Sequence, residues 1–230
     1  MRFAILSDIH GNLEPLKSVL EDAAAHHCSE YICLGDIVGI YGNSKECVQL
    51  IRRMKMACVK GNFDHYCSSE TSLSDFDQKT AEQIVLVRQQ LSDEDYQWLS
   101  ELPDTMQIAG FTIVHATLSE PKRWQYVFDK HAASVNFADQ NTPVCFFGHT
   151  HIPLAFIRNN KIIRGGTYTK FRIEKNSKYF INVGSVGQPR DGIPKSAYVI
   201  YDLDENSVEL RRIPFASSSG AEGSAMVPVS

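Results

Sequence analysis

Imidazole and carboxylate groups recur in this chain where no helical or strand period calls for them. Asp8 and His10 alternate in DIH, and His149 and His151 alternate in HTH. Asp36, His115 and the group Asn62, Asp64 and His65 follow other short apolar runs. Asp and His at i and i+2 on an extended turn can aim both side chains at one point, and imidazole mixed with carboxylate suits Mn, Fe, Zn or Ni better than Ca. Taken singly, the motifs have plainer readings. Asp-x-His after a strand also serves as a turn and helix cap, Gly-Asp is a common turn, and a lone His115 also fits a hydrogen-bonded core position. GHTH has less structural excuse, because a glycine and two histidines end a fully apolar strand. The conjunction argues for one site: each cluster comes just after a predicted strand, and strand ends in sheets with crossover helices converge on one edge.

The strands and helices themselves are read from hydrophobic period. RFAIL predicts a buried strand, and NLEPLKSVLEDAAAHH a helix with Leu13, Leu16, Val19 and Leu20 on one face. YICLGDIVG repeats the strand and polar turn, SKECVQLIRRMKM predicts a second helix, and ACVKGNFD a further strand and loop. The opening third thus alternates β and α, as a sheet with crossover helices requires. Residues 71–101 are helical in pattern, with Ser92 and Asp95 as a capping pair. QIAGFTIVHAT returns to strand, and from Val144 onward the chain is largely β, with a hairpin tip at Asn159 and Asn160.

The 230 residues are 43% hydrophobic and 22% charged, which suits a single domain, placed here over residues 1–215. Residues 216–230 are small, polar and aperiodic, and predict a disordered tail. A net charge of −4 gives no global basic field to draw in nucleic acid or a membrane surface. The apolar start is broken at once by Ser7 and Asp8, too soon for a signal-peptide core or a membrane span. Six cysteines without a CxxC pair, mostly in apolar surroundings, predict reduced core thiols and a cytoplasmic location.

In the order DIHGN, GDIVG, GNFD, VHA and GHTH, the sequence resembles the calcineurin-like metallophosphoesterase superfamily over about residues 1–213. DIHGNLEPL, GDIVGIYG and INVGSVGQPRDG look in particular like its small prokaryotic members, the YfcE-like enzymes and predicted dinucleoside tetraphosphatases. The resemblance implies an α/β fold, a four-layer α/β/β/α sandwich with two central mixed β-sheets whose strand-end loops carry two divalent ions. It gives the first ion Asp8, His10 and His151, the second Asn62, His115 and His149, and places Asp36 between them. Manganese stands first among the candidate ions, ahead of Fe, Ni, Zn and Mg. The implied activity is hydrolysis of a phosphodiester or a nucleotide-type phosphoanhydride by a hydroxide shared between the ions. A protein serine/threonine phosphatase and a non-catalytic metal-binding scaffold are the competing readings. The expected partner is a small phosphoester or nucleotide, with no membrane and no clear nucleic-acid patch; a homo-oligomer is left open.

One motif departs from the family pattern. After the Asn of GNFDH the superfamily usually carries a histidine thought to protonate the leaving group, and here that position is Phe63. In an extended loop residues 63 and 65 would point the same way, so His65 is the candidate stand-in, and Asn62, Asp64 and His65 form the candidate catalytic group. Without an acid, esters with poor leaving groups suffer most. In INVGSVGQPRDG, Gly187 and Arg190 are candidate substrate contacts, with pairing of Arg190 to Asp191 as the alternative. Tyr41 is a further candidate for the same cleft. Tyr96, Trp98 and the aromatic residues of KRWQYVF are assigned to packing, with a stacking face for a base as the alternative for the last group. Residues 164–180 form a longer connection than a simple hairpin needs.

Overall fold

Side chains alternate along each strand, and this alternation sorts the core into three apolar layers. In the computed structural model, which describes residues 1–215, the first half of the chain runs β1 (Arg2–Leu6), α1 (Leu13–Ala25), β2 (Glu30–Cys33), α2 (Ser44–Arg53), β3 (Ala57–Cys58), α3 (Asn62–Cys67), α4 (Gln78–Gln90) and α5 (Asp93–Glu101). The second half runs β4 (Thr105–Ile108), β5 (Phe111–Val114), a short 3-10 turn at Pro121–Arg123, α6 (Lys130–Asp139), β6 (Val144–Phe147) and β7 (Ala155–Asn159). It ends with β8 (Ile162–Gly166), β9 (Lys170–Arg172), β10 (Ser177–Asn182), β11 (Lys195–Asp202) and β12 (Ser207–Pro214). The tail expected after residue 215 lies outside the described residues.

Two mixed six-stranded sheets result, in the orders β3-β2-β1-β11-β12-β9 and β4-β5-β6-β10-β7-β8. From β1, Phe3 and Ile5 face Phe111, Ile113, Phe146 and Ile181 of the other sheet, while Ala4 and Leu6 turn outward to Leu16, Val19, Val48 and Ile51 of α1 and α2. On the far side, Cys145, Phe147 and Phe180 pack against Ala133 and Phe137 of α6. This is the expected four-layer sandwich. Each fully buried Phe, Leu or Ile contributes about 1.5–3 kcal/mol relative to exposure, so the inter-sheet layer alone commits both sheets to each other. All six cysteines are buried free thiols within these layers, and no helix among the described residues is long and apolar enough to cross a membrane.

β1, β2 and β3 are mutually parallel, as are β5, β6 and β10. Their C-terminal ends therefore open at one edge of the sandwich, and every predicted polar cluster lies just beyond one of them. Several local features differ from the sequence expectation. QIAGFTIVHAT is a hairpin rather than one strand, because Ala109 and Gly110 take left-handed φ of 46° and 88° and turn β4 back onto β5. The β7–β8 tip sits one residue later than expected: Asn159 stays in register opposite Ile162, and Asn160 takes the left-handed φ of 52°. Residues 71–77 are turns, and α4 begins only where Asp77 accepts the Thr80 N–H at 3.1 Å. The long 164–180 connection leaves the second sheet after β8 and adds β9 to the edge of the first, with Tyr168 hydroxyl donating to the Asn182 carbonyl at 2.8 Å.

The largest local correction concerns GNFDH, which is the first turn of a helix and not an extended loop. Gly61 stands at the N-cap and its N–H donates to the Asp64 Oδ2 at 3.0 Å, which closes the turn. Asp64 Oδ1 also accepts the N–H groups of Ile37 and Val38, at 2.9 and 3.2 Å, tying the loop after β2 to the start of α3. Removing that carboxylate would strand three buried backbone donors, each worth about 1–3 kcal/mol when left unpaired. Asp64→Ala is therefore expected to lower stability by at least about 3 kcal/mol in urea unfolding. An unchanged midpoint would rule out the clamp.

Candidate metal centre

Asp8, His10, Asp36 and His151 each offer one ligand atom within 4.8 Å of the others, and Asp36, His115 and His149 do the same. Asp36 belongs to both sets. His10 Nε2 lies 3.1 Å from His151 Nε2 and 3.5 Å from Asp36 Oδ2, and His151 Nε2 lies 3.4 Å from Asp8 Oδ1. On the other side, His115 Nε2 is 3.6 Å from Asp36 Oδ2 and 3.2 Å from Asn62 Oδ1. All six His and Asp side chains are buried. The two overlapping donor sets thus meet at one carboxylate, with Asn62 completing the second.

The backbone is bent to deliver these groups. Asp8, His10, Asp36, His149 and His151 have φ of 55°, 52°, 52°, 65° and 60°, the left-handed region that L-residues enter at a cost. Neighbouring loops hold them there. The Asp36 carbonyl accepts the N–H groups of Ile9 and His10, both at 2.9 Å, and the Asp8 N–H donates to the Gly35 carbonyl at 3.0 Å. Asp36 Oδ1 accepts the Phe63 N–H at 2.8 Å, and Asp8 accepts the His149 N–H at 3.0 Å. Gly61 makes this closeness possible, since a Cβ there would lie 2.2 Å from both the Asp36 nitrogen and Oδ1.

Three histidines have their outward nitrogen engaged by a carbonyl, which orients the other nitrogen inward. His115 Nδ1 bonds to Leu34 at 2.7 Å, His149 Nε2 to Trp124 at 2.8 Å and His151 Nδ1 to Gln188 at 2.6 Å. His10 is instead fixed by packing: its Nδ1 has no hydrogen-bond partner, and the Phe63 ring meets it edge-on at 5.2 Å.

Burial sets the charge state. It pulls His10 well below the ordinary imidazole range, lowers His115 and takes His149 down to about 3, so these rings are neutral, as metal ligands must be. Burial, followed by the carboxylates of Asp64 and Asp8, pushes Asp36 far above its usual range. The raised Asp36 carboxyl reflects the cost of gathering carboxylates among neutral imidazoles, a cost that a divalent cation bound there would offset. The donor set fits divalent metal.

The other candidates divide. Asp64 is buried in its backbone clamp and faces no open site, which corrects its assignment to the catalytic group. Burial raises it to about 6 against the pull of those N–H groups. His65 does not share a direction with Phe63, since α3 is helical; it lies one turn after Asn62 on the same face, half-buried, with its ring 6.1 Å from that of Trp124. Gly187 is also corrected. Its N–H is taken by the Asp8 carbonyl at 2.9 Å, and a Cβ would lie 2.0 Å from the Ile9 carbonyl oxygen, so it packs two loops together and presents nothing to a substrate. Arg190 is exposed and donates to Gln188 Oε1 at 2.8 Å, while Asp191 pairs with Arg212 instead. Tyr41 is exposed beside the loop, its N–H on the His10 carbonyl at 2.8 Å. Trp98 packs on the helical layer beneath Arg52.

The KRWQYVF segment departs from the packing expectation. Only Val127 is in the core; Tyr126 stacks on His149 with centroids 4.4 Å apart and planes within 17°, and Trp124 lies edge-on to His115 at 5.8 Å. A signal was available, since Tyr126 and Phe128 flank the single aliphatic Val127 at period two.

Comparison with known proteins agrees with this arrangement. The pattern of the calcineurin-like phosphoesterase superfamily domain matches residues 1–206. An uncharacterised protein of Methanocaldococcus jannaschii is 36% identical over 218 residues, 92% of this chain and 87% of that protein. The crystal structure of a metallophosphoesterase from Sphaerobacter thermophilus is 34% identical, with a TM-score of 0.81 over 94% of this chain and 89% of that one. A hypothetical protein of Pyrococcus horikoshii shares the fold at 15% identity, with a TM-score of 0.77 over 94% of this chain and 89% of that one.

Because Asp36 is common to both donor sets, Asp36→Asn is expected to disrupt occupancy of both, whereas Asn62→Ala touches only one. Metal content of the desalted proteins by plasma mass spectrometry checks this. An Asp36→Asn protein that retains the wild-type metal content would contradict a shared ligand.

Proposed function

We propose that this chain, which belongs to the calcineurin-like phosphoesterase superfamily, is a two-metal hydrolase of phosphodiester or nucleotide-type phosphoanhydride bonds. The observation that carries the reading is the pair of buried donor sets meeting at Asp36. Bound divalent ions, with manganese the first candidate, would supply Lewis acidity toward the phosphoryl oxygens and lower the pKa of water to give a nucleophile near neutral pH. The protein supplies the positions: Asp8, His10 and His151 on one side, Asn62, His115 and His149 on the other, and Asp36 between. The neutral Asn62 amide adds an oxygen without adding charge, which keeps the loaded site attractive to an anionic ester. Arg190, without an ion-pair partner among the described residues, has guanidinium donors left for a phosphoryl oxygen. The 34%-identical neighbour from Sphaerobacter thermophilus, named a metallophosphoesterase, supports the same class.

The leaving group sets the selectivity expected of the site. At position 63 a phenyl ring packs on His10 and can donate no proton. His65 is the imidazole available on the Asn62 face, but burial, then the charges of Lys60 and Lys122, lower its pKa, so at neutral pH it is unprotonated. Esters with good leaving groups depart unaided, whereas poor ones gain from His65 only when it carries a proton.

Two measurements test this. The purified protein with Mn²⁺ is expected to hydrolyse bis(p-nitrophenyl) phosphate and to lose that activity on chelation. Inactivity with Mn, Fe, Ni, Zn and Mg in a folded protein would favour the scaffold. His65→Ala should slow esters of poor leaving groups relative to p-nitrophenyl esters, and the ratio of wild-type to variant rates should grow on acidification below the ordinary imidazole range. The sign follows from the lowered pKa: the proton available for donation is gained only on acidification. A ratio equal for both ester classes, or independent of pH, would remove His65 from the mechanism.

A further inference from the structure

Tyr126 and Phe128 are 50% and 52% exposed, while Val127 between them is 1% exposed and anchored in the α6 layer. The alternation turns both rings to the outside of the segment. Their planes lie within 12° of each other with centroids 5.4 Å apart, and the Tyr126 plane lies within 17° of the buried His149 ring at 4.4 Å. Three rings in one orientation therefore lead from a buried group of the metal centre out to solvent. The segment is fixed at its start, where the Trp124 carbonyl accepts from His149 Nε2 at 2.8 Å and the Trp124 ring lies edge-on to His115. Single exposed aromatic residues need no explanation, but a parallel pair continuous with a site does.

We propose that Tyr126 and Phe128 form a wall whose outer ring, Phe128 held in line by Tyr126, stacks on the planar organic part of the substrate, a nucleobase, and so selects nucleotide-type esters over aliphatic ones. The proposal rests on the phosphoesterase reading and adds the residues that recognise what the phosphate is attached to. Charge is arranged to match. The metal-binding groups and Arg190 serve the anionic end of such a molecule, and the rings stacked outward from His149 serve its planar end. A base has two π-faces whatever its sequence of ring atoms, so a wall of this kind favours bases in general and does not single one out.

The test compares two ligands that differ only by the base, adenosine 5′-monophosphate and ribose 5-phosphate, titrated by calorimetry into the Mn²⁺-loaded full chain. The wild type is expected to bind the nucleotide about tenfold or more tightly than the sugar phosphate, the scale of one stacked base. Phe128→Ala, which removes a half-exposed ring not in contact with His149, should cut that ratio severalfold, and Tyr126→Ala further, whereas Tyr126→Phe and Phe128→Tyr should keep it. Quenching of Trp124 fluorescence by the nucleotide gives a second readout. A wild-type ratio near one, binding of neither ligand, or a ratio that survives both alanine substitutions would overturn the wall. So would a wild-type dimer that Phe128→Ala dissociates, since the rings would then serve a second copy of the chain. Hydrolysis without base selectivity sinks only this proposal; base selectivity without hydrolysis under any metal sinks the catalytic reading and leaves the wall standing.

Discussion

The site is organised by the burial of two carboxylates, Asp8 and Asp36, whose ionic neighbours among the described residues are histidines, with no Lys or Arg paired to either. An uncompensated buried charge is among the costliest arrangements a protein can hold, and proteins tolerate it where a ligand supplies the opposite charge. Their imidazole neighbours do so only in part: burial holds His10, His115 and His149 neutral, and while, against its own burial, the Asp8 carboxyl is kept below its usual range by His151, Asp36 is pushed far above its range. The fold therefore retains in its native state a buried polar cluster whose donor atoms suit a cation.

Much of the surrounding architecture follows from keeping that cluster in place. Each ligand loop is held by another ligand loop: the Asp36 carbonyl takes two N–H groups from the turn after β1, and the Asp8 carbonyl takes the Gly187 N–H and the Ser185 hydroxyl from the turn after β10. The Asp64 carboxylate locks the turn after β2 to α3. Left-handed backbone at five ligand positions is affordable only because these cross-links over-determine it. The parallel strand ends bring the loops to one edge, and the apolar inter-sheet layer keeps β1 and β2 opposite β5 and β6, so the Asp8 and Asp36 loops meet the His115 and His149 loops.

This explains what could be read from the sequence and what could not. The strands, the crossover helices and the polar residues following each strand are local properties, and residue type with hydrophobic period carries them. Asp8, His10, Asp36, His115, His149 and His151 stood out as a set, because each alone has an ordinary structural use and it is their recurrence after successive strands that points to one place. The direction of a side chain within a loop is not local. GNFDH reads equally well as extended or helical until the Asp64 carboxylate is known to cap Gly61 and to reach Ile37 and Val38 at the same time. Gly187 resembles a phosphate-cradling glycine by type, yet the carbonyl of Ile9, far away in sequence, occupies the space beside it. The alternation of Tyr126, Val127 and Phe128 puts both rings on one side of their segment, but which side faces α6 is not a local property.

Phe63 shows how the two levels combine. At the sequence level it is a missing acid, a loss. In the structure its N–H holds Asp36, its ring supports His10, and Gly39 leaves room for both rings. A histidine at that place would put a second polar ring beside His10, whose Nδ1 is already without a partner. An apolar ring there favours the rigidity of one ligand over help with proton transfer. Three imidazoles bound to backbone carbonyls, five donor residues in a costly backbone conformation and a phenyl ring bracing a fourth imidazole are the features of a cluster built to hold its donor atoms in place. A phenyl ring at this place adds rigidity around His10 and no proton donor, so the residue type at position 63 acts on the leaving group only by what it withholds.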